Sequence, residues 1–264
     1  MDLIENYYSN YDEDVRLGHK LGQVEFLTTM RYINKYLERI PNAKVLEIGA
    51  GTGRYSRTIA DMGYKVSAVE LVQHNIDIFK NQITPTQNIS ISQGNALDLN
   101  MLADNTFDIT LLLGPMYHLY TDADKKRAIS EALRVTKPGG IVFVAYCISD
   151  ASILEDAFKN NLLMISDYMD KGQIDPVTFD TVSLPEDIFE LVRKADIDHL
   201  MANFKTERLR YVATDMISRF IRESIENMDE KTFDLYLRFH FAVCERPDMV
   251  GMTHHSLDIF RKIR

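Results

Sequence analysis

The chain has 264 residues, of which 45% are hydrophobic and 26% charged. Those are the proportions of a globular protein with a large core, and they exclude a disordered chain, a collagen and a disulfide scaffold. The 30 Lys and Arg stand against 39 Asp and Glu, a formal charge of −9. Proteins that hold nucleic acid ordinarily carry a basic footprint to neutralise phosphate, so no nucleic-acid partner is expected.

The first residues, Met1-Asp2-Leu3-Ile4-Glu5-Asn6, lack the basic and apolar regions of a signal peptide. No apolar run approaches the ~18 residues of a membrane span. Two cysteines fit a reducing compartment. The expectation is a cytoplasmic protein with no membrane association. Residues 1–20 are polar and aromatic, with Tyr7, Tyr8, Tyr11 and the acids Glu5, Asp12, Glu13 and Asp14. Phe26, Met30, Ile33 and Leu37 then recur at helical spacing, and Pro41-Asn42 stops that helix.

Short apolar runs next alternate with helical patterns. Strands are expected at 44–48, 66–70, 89–93, 107–113 and 141–148, and helices at 55–62, 73–82 and 125–135. That alternation predicts βαβ units and a parallel sheet. The near-continuous apolar runs 107–113 and 141–148 suit a sheet covered on both faces. Cys147 in the last run reads as a small buried hydrophobe, with a nucleophile or a disulfide as the alternative.

After residue 148 the pattern loosens. Ser183-Leu184-Pro185-Glu186-Asp187 has the form of a helix start, with the helix running to about Lys194. Residues 198–211 and 252–261 read as two further strands. Between them two amphipathic helices are expected, one striped by Ile217, Ile221, Ile225 and Met228, the other by Phe233, Leu237, His240, Phe241 and Cys244. They serve either as core packing or as a lid over a small-molecule pocket. His254 and His255, adjacent in the last strand, should point to opposite faces, which makes them structural or surface residues and not a metal pair. Ligand spacings occur nowhere else, and no metal is expected.

The informative stretch is Val45-Leu46-Glu47-Ile48-Gly49-Ala50-Gly51-Thr52-Gly53-Arg54-Tyr55. A buried strand runs into three glycines at alternate positions and then a helix, whose N-terminus offers unpaired N–H groups. A dinucleotide fold needs G-x-G-x-x-G, but here Arg54 stands where its third glycine belongs. Glu47, two residues before the first glycine, is unfavourable beside a pyrophosphate and favourable beside an ammonium or sulfonium. Glu70 ends the second strand, where a carboxylate can accept from both ribose hydroxyls. The alternative for Glu70 is a solvated strand end.

Together these residues resemble the class I S-adenosylmethionine-dependent methyltransferases over roughly residues 40–148. Glu47–Tyr55 is similar to the family's first motif, and Glu70 to the acid that holds the ribose. Gln93-Gly94-Asn95-Ala96-Leu97-Asp98-Leu99 resembles its G-D-A-x-x-L segment beside the adenine, with Asn95 in place of the usual Asp. Leu133–Gly140 resembles the turn before the fifth strand. The Asn95 oxygen can also accept from the adenine amino group; alternatively Asn95 only forms the turn.

The resemblance implies an α/β, Rossmann-like, doubly wound and mostly parallel seven-stranded sheet, with a C-terminal antiparallel hairpin and helical insertions. It implies one domain: a helical arm (1–40), a cofactor-binding core (41–148) and a C-terminal part with lid-like insertions (149–264). The cofactor implied is S-adenosylmethionine, the product S-adenosylhomocysteine. The residues implied to bind it are Tyr8, Arg16, Glu47, Gly49, Ala50, Gly51, Thr52, Gly53, Tyr55, Glu70, Leu71, Asn95, Ala96, Leu97, Leu113 and Gly114.

Gly114-Pro115-Met116-Tyr117-His118-Leu119 follows the fourth strand and resembles a segment of small-molecule members of the family. His118 and Tyr117 are the catalytic candidates. His118 serves as a general base, as a contact without proton transfer, or as a structural residue; Tyr117 orients the acceptor or packs on the cofactor. Asp108 lies at the far end of that strand and reads as structural. The N-terminal segment, with Tyr8, Tyr11, Arg16 and Leu17, folds over the cofactor or remains a solvated arm. The acceptor is expected to be a small molecule, methylated on O or N. The competing readings are an rRNA or protein methyltransferase, a non-catalytic cofactor-binding protein and, more remotely, a nicotinamide dehydrogenase.

Overall fold

A computed structural model describes residues 2–9, 13–161 and 164–263. Tyr11 and Asp12 of the N-terminal arm lie outside the described residues. The arm is helical: α1 (Asp2–Ser9), α2 (Glu13–Gly18) and α3 (Lys20–Leu37). Then β1 (Lys44–Ile48), α4 (Arg54–Asp61), β2 (Lys65–Glu70), α5 (Gln73–Gln82), β3 (Ile89–Gln93), β4 (Phe107–Leu112), α6 (Asp122–Val135) and β5 (Thr136–Ile148) alternate as expected.

The strands form one sheet. Seven lie in the order β3-β2-β1-β4-β5-β8-β7, with β7 (Thr206–Ala213) and β8 (His255–Lys262) as the antiparallel pair at one edge and the first five parallel. An eighth strand, β6 (Leu191–Val192), adds two residues beside the end of β5. The sheet is covered on both sides. Ile109, Leu111, Phe143 and Ile259 pack with Met30, Ile33 and Leu37 of α3 and Ile59 of α4. Their strand neighbours Leu112, Val142, Val144 and Phe260 pack with Ile129 and Ala132 of α6. Side chains alternate across a strand, so two-sided cover requires the unbroken apolar runs read from 107–113 and 141–148.

The part after residue 148 departs from the sequence reading. Helices α7 (Ser149–Ile153) and α8 (Ile165–Asp170) precede the sequence expected to be helical from 183 to 194. There only Pro185–Asp187 turns, as a 3-10 turn, closed by Asp187 Oδ2 accepting from Leu184 N at 2.7 Å. Ile188 then takes φ 66°, which ends the turn, and Glu190 N donates to Tyr117 O at 2.6 Å, drawing the chain into β6. The strand expected at 198–211 is instead α9 (Lys194–Met201) followed by β7. Asp196 Oδ2 accepts from Arg193 N at 2.8 Å to start α9, and Ile197, Leu200 and Met201 bury one face at helical spacing.

The stripe from Ile217 to Met228 is not one helix. Residues Met216–Ile221 form a 3-10 segment, and α10 (Arg222–Glu226) continues from it. The second expected helix is present as α11 (Glu230–Val243), started by Asp229 accepting from Thr232 N. Asp108 is structural as read: its carboxylate accepts from Lys44 N at 2.9 Å and Lys137 Nζ at 2.6 Å. Both cysteines are free and buried. Among the described residues no helix is long and apolar enough to cross a membrane.

Candidate functional site

The turn from β1 into α4 places three left-handed glycines above the carboxyl end of the sheet, where open α/β sheets bind ligands. Two of them do different work. A Cβ on Gly51 would meet nothing within 4 Å, so its backbone faces open space. A Cβ on Gly53 would fall 2.2 Å from the Phe79 ring. Gly53 is therefore required by packing behind the loop. It is the one expected cofactor residue that does not line the cavity described next.

That cavity has a volume of about 370 Å³ and is bordered by every other expected cofactor residue, from Tyr8 and Arg16 through Glu47 and Glu70 to Leu113 and Gly114. Tyr117 and His118 also border it. Glu70 holds it together: Oε2 accepts from Gly51 N at 2.8 Å and Oε1 from Val72 N at 2.9 Å, which ties the glycine loop to the turn after β2. Glu47 accepts from Ser56 N at 3.0 Å and from the Ser56 hydroxyl, capping α4 from the strand side. Burial pushes the Glu47 carboxyl up to about 8, against those bonds from Ser56. The Asn95 oxygen accepts from Leu97 N at 2.9 Å, so its side chain does form the turn. Thr52 Oγ1 is buried on this cavity without a partner. A buried hydroxyl is costly when unpaired, and a polar ligand at the glycine loop would satisfy it.

His118 is fully engaged. Its Nδ1 lies 2.8 Å from Ile188 O, a carbonyl that can only accept, so Nδ1 carries the proton. Nε2 then accepts from the Tyr8 hydroxyl at 3.0 Å. Burial holds its pKa below the ordinary value, so the ring stays neutral. Phe189 packs at 5.6 Å from His118 and 5.5 Å from Tyr7. The candidate base thus anchors the N-terminal helix.

A second cavity of about 910 Å³ opens beyond Tyr117. The two cavities share Tyr8, Arg16, Glu25, Tyr117 and His255. Burial, with Cys147 and Glu25 near, holds the Tyr117 hydroxyl well above its ordinary value, so it is a neutral phenol. At the same junction runs a chain of four charged groups. Arg16 Nη1 and Nη2 donate to Glu25 at 2.6 and 3.2 Å. Glu25 Oε2 lies 3.6 Å from His255 Nδ1, which is 2.7 Å from Asp215 Oδ2. Asp215 Oδ1 is held by the Thr253 hydroxyl, His254 N and His255 N.

Sequence reasoning missed Glu25, Asp215 and His255. They lie on α3, after β7 and at the start of β8, and only the closed sheet brings them together. His254 and His255 were expected on opposite faces, yet both border the larger cavity. They meet different carboxylates, His254 Nε2 reaching Glu155 at 3.0 Å. The donor atoms of Glu25, Asp215 and His255 lie within 4.8 Å of one another. With the Arg16 guanidinium already on Glu25, we read the group as an ion-pair chain and not as metal ligands.

Fold and site together define a doubly wound protein that presents a glycine loop and a second-strand acid to a small ligand. Residues 46–144 match the family model described as methyltransferase domain. A demethylmenaquinone methyltransferase of Renibacterium salmoninarum is 36% identical over 107 residues, 40% of this chain and 42% of that protein. A ubiquinone biosynthesis O-methyltransferase of Rickettsia akari is 20% identical over 200 residues, covering 75% of this chain and 76% of that one. A solved S-adenosylmethionine-dependent methyltransferase of Methanosarcina mazei superposes with a TM-score of 0.58 at 17% identity, over 88% of this chain and 97% of that one. The chain spans about two fifths of the length of the curated relatives it matches first. Residues 46–144 thus match a methyltransferase domain, and the fold is that of a solved S-adenosylmethionine-dependent methyltransferase.

Proposed function

We propose that this chain, acting as a single domain, transfers the methyl group of S-adenosylmethionine to a small molecule in the cytoplasm. The observation that carries the reading is the meeting of two cavities. The one at the glycine loop has the size and lining of a cofactor site, and the larger one joins it at Tyr117 and His255. A cofactor-binding protein without turnover has no use for the second.

When bound, S-adenosylmethionine supplies a methyl carbon on a positively charged sulfur, open to in-line displacement. The chain's own task is to hold both reactants and exclude water. Glu70 Oε1 already accepts from Val72 N and Asn75 Nδ2, whereas Oε2 accepts from Gly51 N alone among these and would accept from a ribose hydroxyl. Gly51 lets the ligand approach the backbone, and Thr52 Oγ1 gains its missing partner. The second lone pair of the Asn95 oxygen remains for an adenine amino group. Tyr8, fixed by His118, keeps α1 across the opening. Tyr117, as a neutral phenol, orients the acceptor.

The larger cavity joins Tyr7, Tyr168 and Phe189 to polar groups, which suits a small molecule with an apolar or aromatic body. An rRNA or protein acceptor requires an open basic face, and the −9 charge disfavours it. The test is methyl-labelled S-adenosylmethionine offered with small phenols and amines, and separately with ribosomal RNA and ribosomal protein. Label in the small-molecule fraction supports the reading. Label in the macromolecules alone, or in neither, overturns it.

A further inference from the structure

The following rests on the methyltransferase reading above and concerns how its two cavities communicate. We propose that His118 is a positioning residue. It links the helix that covers the cofactor cavity to the segment 183–191 that walls the larger cavity, so that filling the first cavity sets the shape of the second.

The two elements belong to different cavities. Ile4 and Tyr8 of α1 border the cofactor cavity. Ser183, Glu186, Asp187, Phe189 and Leu191 border the larger one, and no residue from 183 to 191 borders the cofactor cavity. His118 bonds to both elements. The Tyr8 hydroxyl donates to Nε2 at 3.0 Å, and the Nδ1 proton is donated to Ile188 O at 2.8 Å. Donation therefore runs one way, from α1 through the ring to the segment, and each bond polarises the next. Phe189 makes the same connection by packing. Its ring lies 5.5 Å from Tyr7, edge to face, and 5.6 Å from His118.

The segment is one that needs such support. Ile188 is β-branched and has φ 66°, a conformation that persists only where its surroundings over-determine it. Its carbonyl is gripped twice, by His118 and by the Tyr120 hydroxyl at 2.7 Å. Two residues on, Glu190 N donates to Tyr117 O, and the Glu190 carboxylate pairs with Lys125 Nζ. The bonds from Tyr120, Tyr117 and Lys125 do not involve α1. The contacts of His118 and Phe189 do. Withdrawing α1 takes the donor from Nε2 and the Tyr7 ring from Phe189.

A ligand shifts an equilibrium only through contacts that differ between the two states. A cofactor gains Ile4 and Tyr8 only when α1 is docked. That is also the state in which Tyr8 holds His118 and Tyr7 holds Phe189. Cofactor binding therefore favours the strained turn, and the methyl acceptor meets a wall already in place. By linkage, an acceptor seated against Phe189 tightens cofactor binding by the same factor.

Hydrogen exchange, read segment by segment with and without saturating S-adenosylhomocysteine, tests this before any acceptor is identified. In the wild-type protein residues 2–9 and 49–55 should slow through direct contact. Residues 184–191 should slow about fivefold, the lower end of coupling between sites. His118→Ala and Tyr8→Phe should each keep the slowing at 49–55 and bring that at 184–191 to within about twofold of the ligand-free rate. Tyr8→Phe leaves the bond to Ile188 in place, so it reads the link without disturbing the turn. Slowing confined to 2–9 and 49–55 in the wild type, or an undiminished response at 184–191 in either variant, would overturn the assignment and leave the methyltransferase reading in place. No slowing anywhere would overturn both.

Discussion

The Tyr8 hydroxyl donates to Nε2 of His118 at 3.0 Å, joining the first helix of the chain to the turn after β4. The ring that sequence alone offers as a base is thereby a fastener for the cover of the cofactor cavity. Tyr8→Phe and His118→Ala should each weaken S-adenosylhomocysteine binding, and the double variant should lose little more than either one. A coupling of about 0.5–1.5 kcal/mol, the net worth of one hydrogen bond, is expected from the cycle. Calorimetry measures it; additive losses would separate the two residues.

The glycine loop allows a division between folding and binding. Gly53→Ala drives a Cβ into the Phe79 ring at a φ of +84°, and should lower stability by about 1–3 kcal/mol through overpacking alone. Gly51→Ala meets open space at φ +53°. It should lower stability less, since only the backbone conformation is penalised, at about 1 kcal/mol. Its methyl group intrudes on the cavity, so cofactor affinity should fall further than stability does. Melting and calorimetry of the two variants should give opposite rankings.

Glu47 makes the ligand-free protein sensitive to pH. Its folded pKa, raised by burial to about 8, exceeds the ordinary 4.5. The folded state then binds the proton more tightly than the unfolded one, so Glu47 subtracts stability progressively between pH 4.5 and 8. Glu47→Gln keeps an oxygen for Ser56 N and removes the titration. The variant should melt higher than the wild type at pH 8, and no higher at pH 4. An unchanged difference across that range would show that Glu47 does not titrate as its burial requires.

Glu70→Ala removes the acceptor of two backbone N–H groups, Gly51 and Val72. Cofactor binding should weaken by about 1–3 kcal/mol, the worth of hydrogen bonds to a charged group, and the melting midpoint should fall because buried donors are left unmet. Unchanged affinity in a folded variant would remove Glu70 from the site.

The cofactor half of the molecule was legible because its signals are local. Gly49 to Gly53, Glu70 and the apolar runs of β4 and β5 each state their environment within a few residues. Even there the sequence could not separate Gly53, which faces Phe79, from Gly51, which faces the cavity. The acceptor half was less legible for a physical reason. Pro185 and the acids after it form a good helix start, but Ile188 and the pull of Glu190 toward Tyr117 end the turn. Ile197, Leu200 and Met201 fit a strand or a helix until their packing partners are known. His255 meets Glu25 and Asp215, which lie 230 and 40 positions away in the chain. No periodicity within one segment reports such a meeting.

The central claim is that the glycine-loop cavity receives S-adenosylmethionine. The most direct measurement is a melting scan of the purified protein with S-adenosylmethionine, S-adenosylhomocysteine and NAD in parallel. A ligand that binds only the folded state raises the midpoint, by about 2.7 kcal/mol of stability at a hundredfold excess over Kd. The midpoint should rise with both sulfur compounds and stay fixed with NAD. A midpoint unmoved by either sulfur compound, or raised by NAD alone, would contradict the account.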